Sequence, residues 1–313
     1  MTASTQTQAI LTSPHHRRKY GRASRGDMRS ILPMFAPALL LLLFVYGYPI
    51  VAMVIEAFRF PVIGGTELGV RNFEFVLRDS VFWTSAKNNA IFIVVGVPVV
   101  TALAVVIAVL LYELGRWGRV YRAFVFLPYI LAVPVLGLAF SYILGLHGVL
   151  NAVLEGIGLG FLTQDWLGNP SLVPFSVLMV IVFRELGFGV VLMLARLTSV
   201  QEELWEAARI DGAGWWQRLR YITIPQLSGV IKFFAVIELT SMITYVFAYV
   251  YSMTAGGPGN ASSVVELYVY KNAFGYQATG IASAAAVLLL AVSIVVMALQ
   301  LGIRRKDDND DRD

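Results

Sequence analysis

Cysteine is absent from the 313 residues, which excludes a disulfide framework, a thiolate metal site and a cysteine nucleophile, and leaves redox chemistry silent on compartment. Histidine is scarce: His15, His16 and His147 lack the spacing of a metal site. Charge is short as well, at 14% against roughly a quarter in an average soluble domain. The chain therefore lacks the polar surface to coat a globule of its size. What it has instead is apolar residues, 58% of the total, and a mean hydropathy of +0.70. That balance excludes an ordinary water-soluble enzyme and a disordered chain alike. The net charge of +4 is not a nucleic-acid signal, because its distribution follows a membrane.

A span needs about 20 mostly apolar residues to cross about 30 Å of hydrocarbon. Six stretches qualify: 31–55, 89–111, 123–146, 172–195, 230–254 and 279–303. The first is too long and too far from the start for a signal peptide's apolar core and reads as an uncleaved anchor. Lysine and arginine mark the cytoplasmic side. With six alternating spans, 18 of the 24 basic residues fall on one side, in the head, the second and fourth connections and the tail. Arg59, Arg71, Arg78, Lys87 and Lys271 fall on the other, and Arg184 lies within a span. Both termini are expected in the cytoplasm. All six tryptophans lie outside the apolar runs, as indole's preference for the headgroup level requires. The expected organisation is a basic cytoplasmic tail (1–30), a six-span all-α domain (31–303) with a cytoplasmic loop at 196–229, and a charged cytoplasmic tail (304–313).

That loop is patterned throughout. Ser199 with Glu202 reads as a capping box, and Leu204, Ala207, Ala208 and Ile210 make an apolar stripe at helical spacing. Gly212 suits a left-handed stop after the helix. A second short helix is expected from Trp215 to Tyr221, limited by Pro225. Paired alanines among acidic neighbours make a poor lipid-binding face. Small side chains instead admit close approach by another protein, with Glu206 offering charge to a basic partner.

Glu206-Ala207-Ala208, Asp211-Gly212-Ala213 and Ile224-Pro225 together resemble the EAA loop of the membrane subunits of bacterial ABC importers. Thr254-Ala255-Gly256-Gly257-Pro258-Gly259 resembles the Thr-x-Gly-Gly-Pro segment of carbohydrate importers, and Tyr270 to Phe274 resembles the Tyr-x-x-Ala-Phe stretch after it. Arg119 to Pro128 fits as well. The likeness runs from residue 30 to residue 303 and is to the MalF/UgpA-like class of sugar and glycerol-phosphate permeases. One departure stands out: Phe247-Ala248 replaces the Phe-Asp of many relatives.

The resemblance implies the type I ABC importer permease fold in a bacterial inner membrane. It also implies four kinds of partner: a second permease subunit, two ATP-binding subunits, an extracytoplasmic solute-binding protein and a carbohydrate-type substrate. Glu206, Ala207, Ala208, Arg209, Asp211, Gly212 and Ala213 would couple the chain to the ATPase. The chain itself should hold no cofactor, since ATP and Mg belong to the ATPase subunits. A Walker loop needs Gly-Lys-Ser/Thr to cradle phosphate, and none of Lys19, Lys87, Lys232, Lys271 or Lys306 follows a glycine.

Ionisable residues inside spans are functional candidates by default, here Arg184, Glu185 and Glu238. Arg184 and Glu185 are sequence neighbours that point in different directions and need not pair. At about 100° per residue, Glu238, Ser241, Met242, Tyr245, Tyr249 and Ser252 share one face of span five. They form either a polar and aromatic sugar pathway or a helix–helix contact. Ala282 to Ala286 permit close packing of span six, against a second permease or within the chain. A self-sufficient secondary transporter or channel is the competing class. It would leave the patterned loop without a purpose and calls for internal repeats that are not found. A membrane enzyme would need a catalytic constellation, which the sequence does not supply.

Overall fold

The computed structural model describes residues 35–62, 65–115 and 118–310. The basic head, Pro33, Arg116, Trp117 and Arg312 lie outside the described residues. The chain divides into two units, 1–52 and 53–313. The described part of the first unit is the leading portion of helix α1 (Phe35–Ala57), which contains the leucine run Leu39 to Leu43; the whole helix is long and apolar enough to cross a bilayer. In the second unit a short ribbon follows, β1 (Arg59–Val62) antiparallel to β2 (Gly65–Leu68) with Arg59 opposite Leu68. The all-helical expectation did not include it. Asn72 fixes its base by donating from Nδ2 to the carbonyls of Ala57 and Arg59 at 2.9 and 2.8 Å.

The helices continue as α2 (Arg71–Arg78), α3 (Ser80–Glu113), α4 (Gly118–Ile130), α5 (Val133–Ile143), α6 (Val149–Gly156) and α7 (Val173–Thr198). Next come α8 (Glu202–Ile210), α9 (Trp215–Thr244), α10 (Val246–Met253), α11 (Val265–Tyr270) and α12 (Thr279–Asp310). Five of these, α1, α3, α7, α9 and α12, are long and apolar enough to span, and counting α4 with α5 makes six.

Span boundaries differ from the sequence expectation where proline intervenes. Pro49, Pro98 and Pro225 each sit two residues after a π-helical turn, at Leu43–Gly47, Phe92–Gly96 and Leu219–Thr223. A wide turn accommodates the missing N–H and the ring without ending the helix. Consequently the helix begun at Trp215 does not stop near Tyr221, as expected, but runs on into span five. Pro128 and Pro134 act differently. They flank a break at Leu131–Ala132, with Ala132 extended (ψ 134°), and the two halves of span three are bent by 99°. Span five is also interrupted, at Tyr245 (φ −114°), so its polar stripe is split between α9 and α10.

The main core joins α3, α7 and α9 through Phe92, Val100, Ala104, Ile181, Met193 and Phe234. Gly189 lets the three helices meet: a Cβ there would lie 2.6 Å from Phe234 Cζ and 2.8 Å from Ala104 Cβ. Without a hydrophobic driving force between lipid-embedded helices, such small-residue contacts carry much of the packing. A second cluster gathers Val76, Phe82, Val265, Tyr268, Ala284 and Ala285. The small residues Ala282, Ala284 and Ala285 are thus core within this chain.

Candidate functional site

Two sites follow from this framework, one in the α7–α9 connection and one within the spans. At the connection, the expected capping box is not formed. Ser199 instead closes α7, its hydroxyl donating to Arg196 O at 2.8 Å, and α8 begins after Gln201 with no side-chain cap. Span four needs Ser199 for its own last turn, which leaves Glu202 and Glu203 to stabilise the start of α8 through its dipole. The C-terminal stop is as expected. Gly212 has φ +73°, Ala213 N–H donates to Ala208 O at 2.9 Å and Gly212 N–H to Arg209 O at 3.1 Å. This is a Schellman closure, and glycine suits its left-handed position.

The two faces of α8 are unlike each other. Glu202, Trp205, Glu206 and Arg209 line a cleft of about 480 Å³, and Ala208 is buried. The apolar residues turn away from the chain: Ile210 is 85% and Leu204 40% exposed, with Ala207, Asp211 and Gly212 exposed as well. Covering a Leu or Ile fully is worth about 1.5–3 kcal/mol, a gain that neither side chain makes fully within this chain. Arg196 ties α7 to α9, donating to Gln226 O at 3.0 Å and Gln226 Oε1 at 2.7 Å.

Within the spans, Arg184 and Glu185 pair directly, Nη1 to Oε1 at 2.6 Å, against the expectation from their adjacency. Flexible side chains curl together because Tyr249 closes the triangle, donating from its hydroxyl to Glu185 Oε1 at 3.0 Å. Arg184 Nε also donates to Leu131 O at 3.3 Å, the carbonyl at the break in span three, and the guanidinium lies 4.8 Å from the Tyr129 ring centroid. A broken helix at membrane depth must have its freed carbonyls satisfied from within the protein, and Arg184 does so.

Glu238 is 0% exposed, and neither of its carboxyl oxygens has a hydrogen-bond partner. A buried polar atom left unpaired costs about 1–3 kcal/mol. With Glu185, Ser241, Met242, Tyr245 and Tyr249 it lines a small cavity. Of the predicted stripe, Tyr249 is buried, whereas Tyr245 is 70% exposed. Ser252 stands apart, bonded to Ala248 O at 2.7 Å and packed against Gly137 of α5.

Sequence reading missed a third polar group, because a serine and two neighbouring asparagines at the start of an apolar run carry no motif. Ser85, Asn88 and Asn89 of α3 hold the connection after α10. Ser85 Oγ donates to Ser263 Oγ at 3.0 Å, and Asn88 Nδ2 to Ala261 O and Ser263 O at 2.7 and 2.8 Å. Asn89 accepts from Val265 N–H at 2.9 Å and donates to Glu266 Oε2 at 3.2 Å. Burial pushes the Glu266 carboxyl up to about 7, against the pull of a backbone bond and of Asn89. Burial and the Asp79 carboxylate push the Tyr268 hydroxyl up as well. In the same connection Thr254 and Ser262 share a hydroxyl bond at 2.7 Å, and Ser262 donates to Gly257 O at 2.6 Å.

The comparisons with known proteins agree with this geometry. The family described as binding-protein-dependent transport system inner membrane component matches residues 100–306. A probable ABC transporter permease protein, YurN, of Bacillus subtilis is 33% identical over 282 residues, covering 88% of this chain and 96% of its own. The trehalose/maltose transport system permease protein MalF of Thermococcus litoralis is 32% identical, over 77% of this chain and 81% of its own. The lactose transport system permease protein LacF of Rhizobium radiobacter is 32% identical, over 66% and 70%. Among solved structures, a bacterial ABC transporter that imports the acidic polysaccharide alginate superposes with a TM-score of 0.78 over 90% of this chain and 96% of its own. At 21% identity that likeness speaks for the fold.

Proposed function

The chain belongs to the binding-protein-dependent transport system inner membrane components, and from that premise we propose that it forms half of the translocation pathway of an ATP-driven carbohydrate importer. As a member of that family it is a multi-pass inner-membrane permease. Its partners in this reading are a second permease, two ATP-binding subunits and an extracytoplasmic solute-binding protein. Both termini and α8 lie on the cytoplasmic side, where the excess of lysine and arginine belongs. Relatives named for lactose and for trehalose/maltose transport support a sugar as the solute.

The observation that carries the reading is the outward-turned apolar face of α8, rigidly ended at Gly212. A short helix presenting Leu204, Ala207 and Ile210 to an ATPase surface, with Glu206 at its edge, can be displaced as a body and take α7 and α9 with it. ATP is hydrolysed by the partner. Ala207→Trp and Glu206→Lys should each lower retention of the ATPase subunits, or import per ATP hydrolysed, at least ten-fold in the reconstituted complex. Wild-type import with full ATPase content in both variants would end the case for docking at α8.

A specific observation favours a solute contact at mid-depth. Glu238 has polar atoms without partners beside the exposed ring of Tyr245. Aromatic rings cover the CH faces of sugars, and a carboxyl takes their hydroxyls. Tyr245→Ala should cut import by about an order of magnitude with assembly intact, as co-purification of the complex would show. Unchanged import would reduce this cluster to helix packing.

A further inference from the structure

Two side-chain contacts cross the cleft behind α8, and both land on the end of α3. Trp215 Nε1–H donates to Glu113 Oε1, and the Trp205 ring lies against Tyr112 with centroids 5.8 Å apart. Tyr112 and Glu113 are the last two residues of α3, and Trp205 and Trp215 stand on either side of the Gly212 turn. The chain connects α8 covalently to α7 and α9, which Arg196 and Gln226 already clamp together. Trp205 on α8 and Trp215, the first residue of α9, bring the end of α3 to the same turn.

That helix runs unbroken from Ser80 to Glu113. Twenty-odd residues before the tryptophan contacts, Ser85, Asn88 and Asn89 hold the segment from Ala261 to Val265. The π-helical turn of α3 at Phe92–Gly96, just before Pro98, lies within the helix without ending it, and small sliding shifts of packed helices are a known way to carry a displacement. The cleft between α8 and the end of α3 has a volume of about 480 Å³.

We infer that Tyr112, against Trp205 of α8, and Glu113, bonded to Trp215 just beyond the Gly212 turn, are positioning residues that pass the displacement of α8 and its turn to α3, and through α3 to the Thr254–Val265 connection at the opposite membrane face. The inference rests on the docking role of α8 proposed above and adds to it two direct contacts with the end of α3, one from Trp205 of α8 and one from Trp215 at the start of α9. Glu113 holds the indole N–H of Trp215. An amide oxygen at the same place would still accept that bond, though less strongly than a carboxylate.

The assembled complex in proteoliposomes, with its ATPase and solute-binding partners, tests this through the ratio of ATP hydrolysed to solute imported. Glu113→Ala and Trp215→Phe should each raise the ratio about five-fold with subunit composition unchanged. The double variant should be no worse than either single one, because both remove the same bond. Glu113→Gln, which keeps an acceptor oxygen, should stay within about two-fold of wild type. An unchanged ratio in Glu113→Ala overturns the inference, as does a Glu113→Gln variant as uncoupled as Glu113→Ala, or loss of ATPase subunits from the Glu113→Ala complex. Ala207→Trp, measured alongside, separates the two ideas. If it abolishes coupling while Glu113→Ala does not, the docking reading stands and the α3 route falls. If Ala207→Trp is silent, docking at α8 itself fails.

Discussion

Arg184 joins three spans through one guanidinium, which meets the Leu131 carbonyl and Tyr129 ring of span three, the neighbouring Glu185 carboxylate of span four and the Tyr249 hydroxyl of span five. Removing one partner of a buried pair strands the other, at a cost of about 3–5 kcal/mol. Arg184→Ala should therefore lower the thermal midpoint of the detergent-solubilised protein sharply. The double variant Arg184→Ala/Glu185→Gln should recover part of that loss, because the stranded charge is gone. A single variant as stable as wild type would show that water or lipid headgroups satisfy Glu185 instead. The rule that intramembrane ions are costly found Arg184, Glu185 and Glu238 from the sequence. Their mutual arrangement was not legible, since it depends on Tyr249, 64 positions from Glu185, and on a carbonyl freed by a break in another span.

At the scale of elements, hydropathy located the spans because each crossing must be a long apolar run, and that demand is written in composition. Their ends were less legible. α3 starts at Ser80 and α9 at Trp215, well before the apolar runs begin, because helix formation does not require lipid once polar side chains find partners. Prolines looked alike in sequence and act in two ways. Three follow wide turns inside continuous helices, and the pair Pro128 and Pro134 brackets a break. The Gly212 stop was readable because φ > 0 selects glycine. The capping box was misread because Ser199 satisfies the same pattern for the helix it ends. The stripe Leu204, Ala207, Ala208, Ile210 was correctly seen as apolar, but periodicity did not show that Ala208 turns inward while the other three face out. The ribbon at 59–68 escaped notice, being held by Asn72 rather than by an alternating pattern.

For the whole molecule, the absence of cysteine makes sidedness directly measurable, because any thiol introduced is the sole target. In intact spheroplasts, a membrane-impermeant maleimide should label Lys87→Cys, which is exposed on α3, and spare Ile210→Cys until the membrane is opened. The reverse pattern would invert the topology proposed from the lysine and arginine count. The length of α3 sharpens the expectation. Its 34 residues measure about 51 Å at 1.5 Å per residue, against about 30 Å of hydrocarbon. If it stands upright, some 20 Å overhangs into water. The opening three turns then answer to the selection rules of a soluble protein, where a serine-and-asparagine seam is ordinary. Drift in lipid thickness would tilt this shaft before it disturbed the seam at its tip.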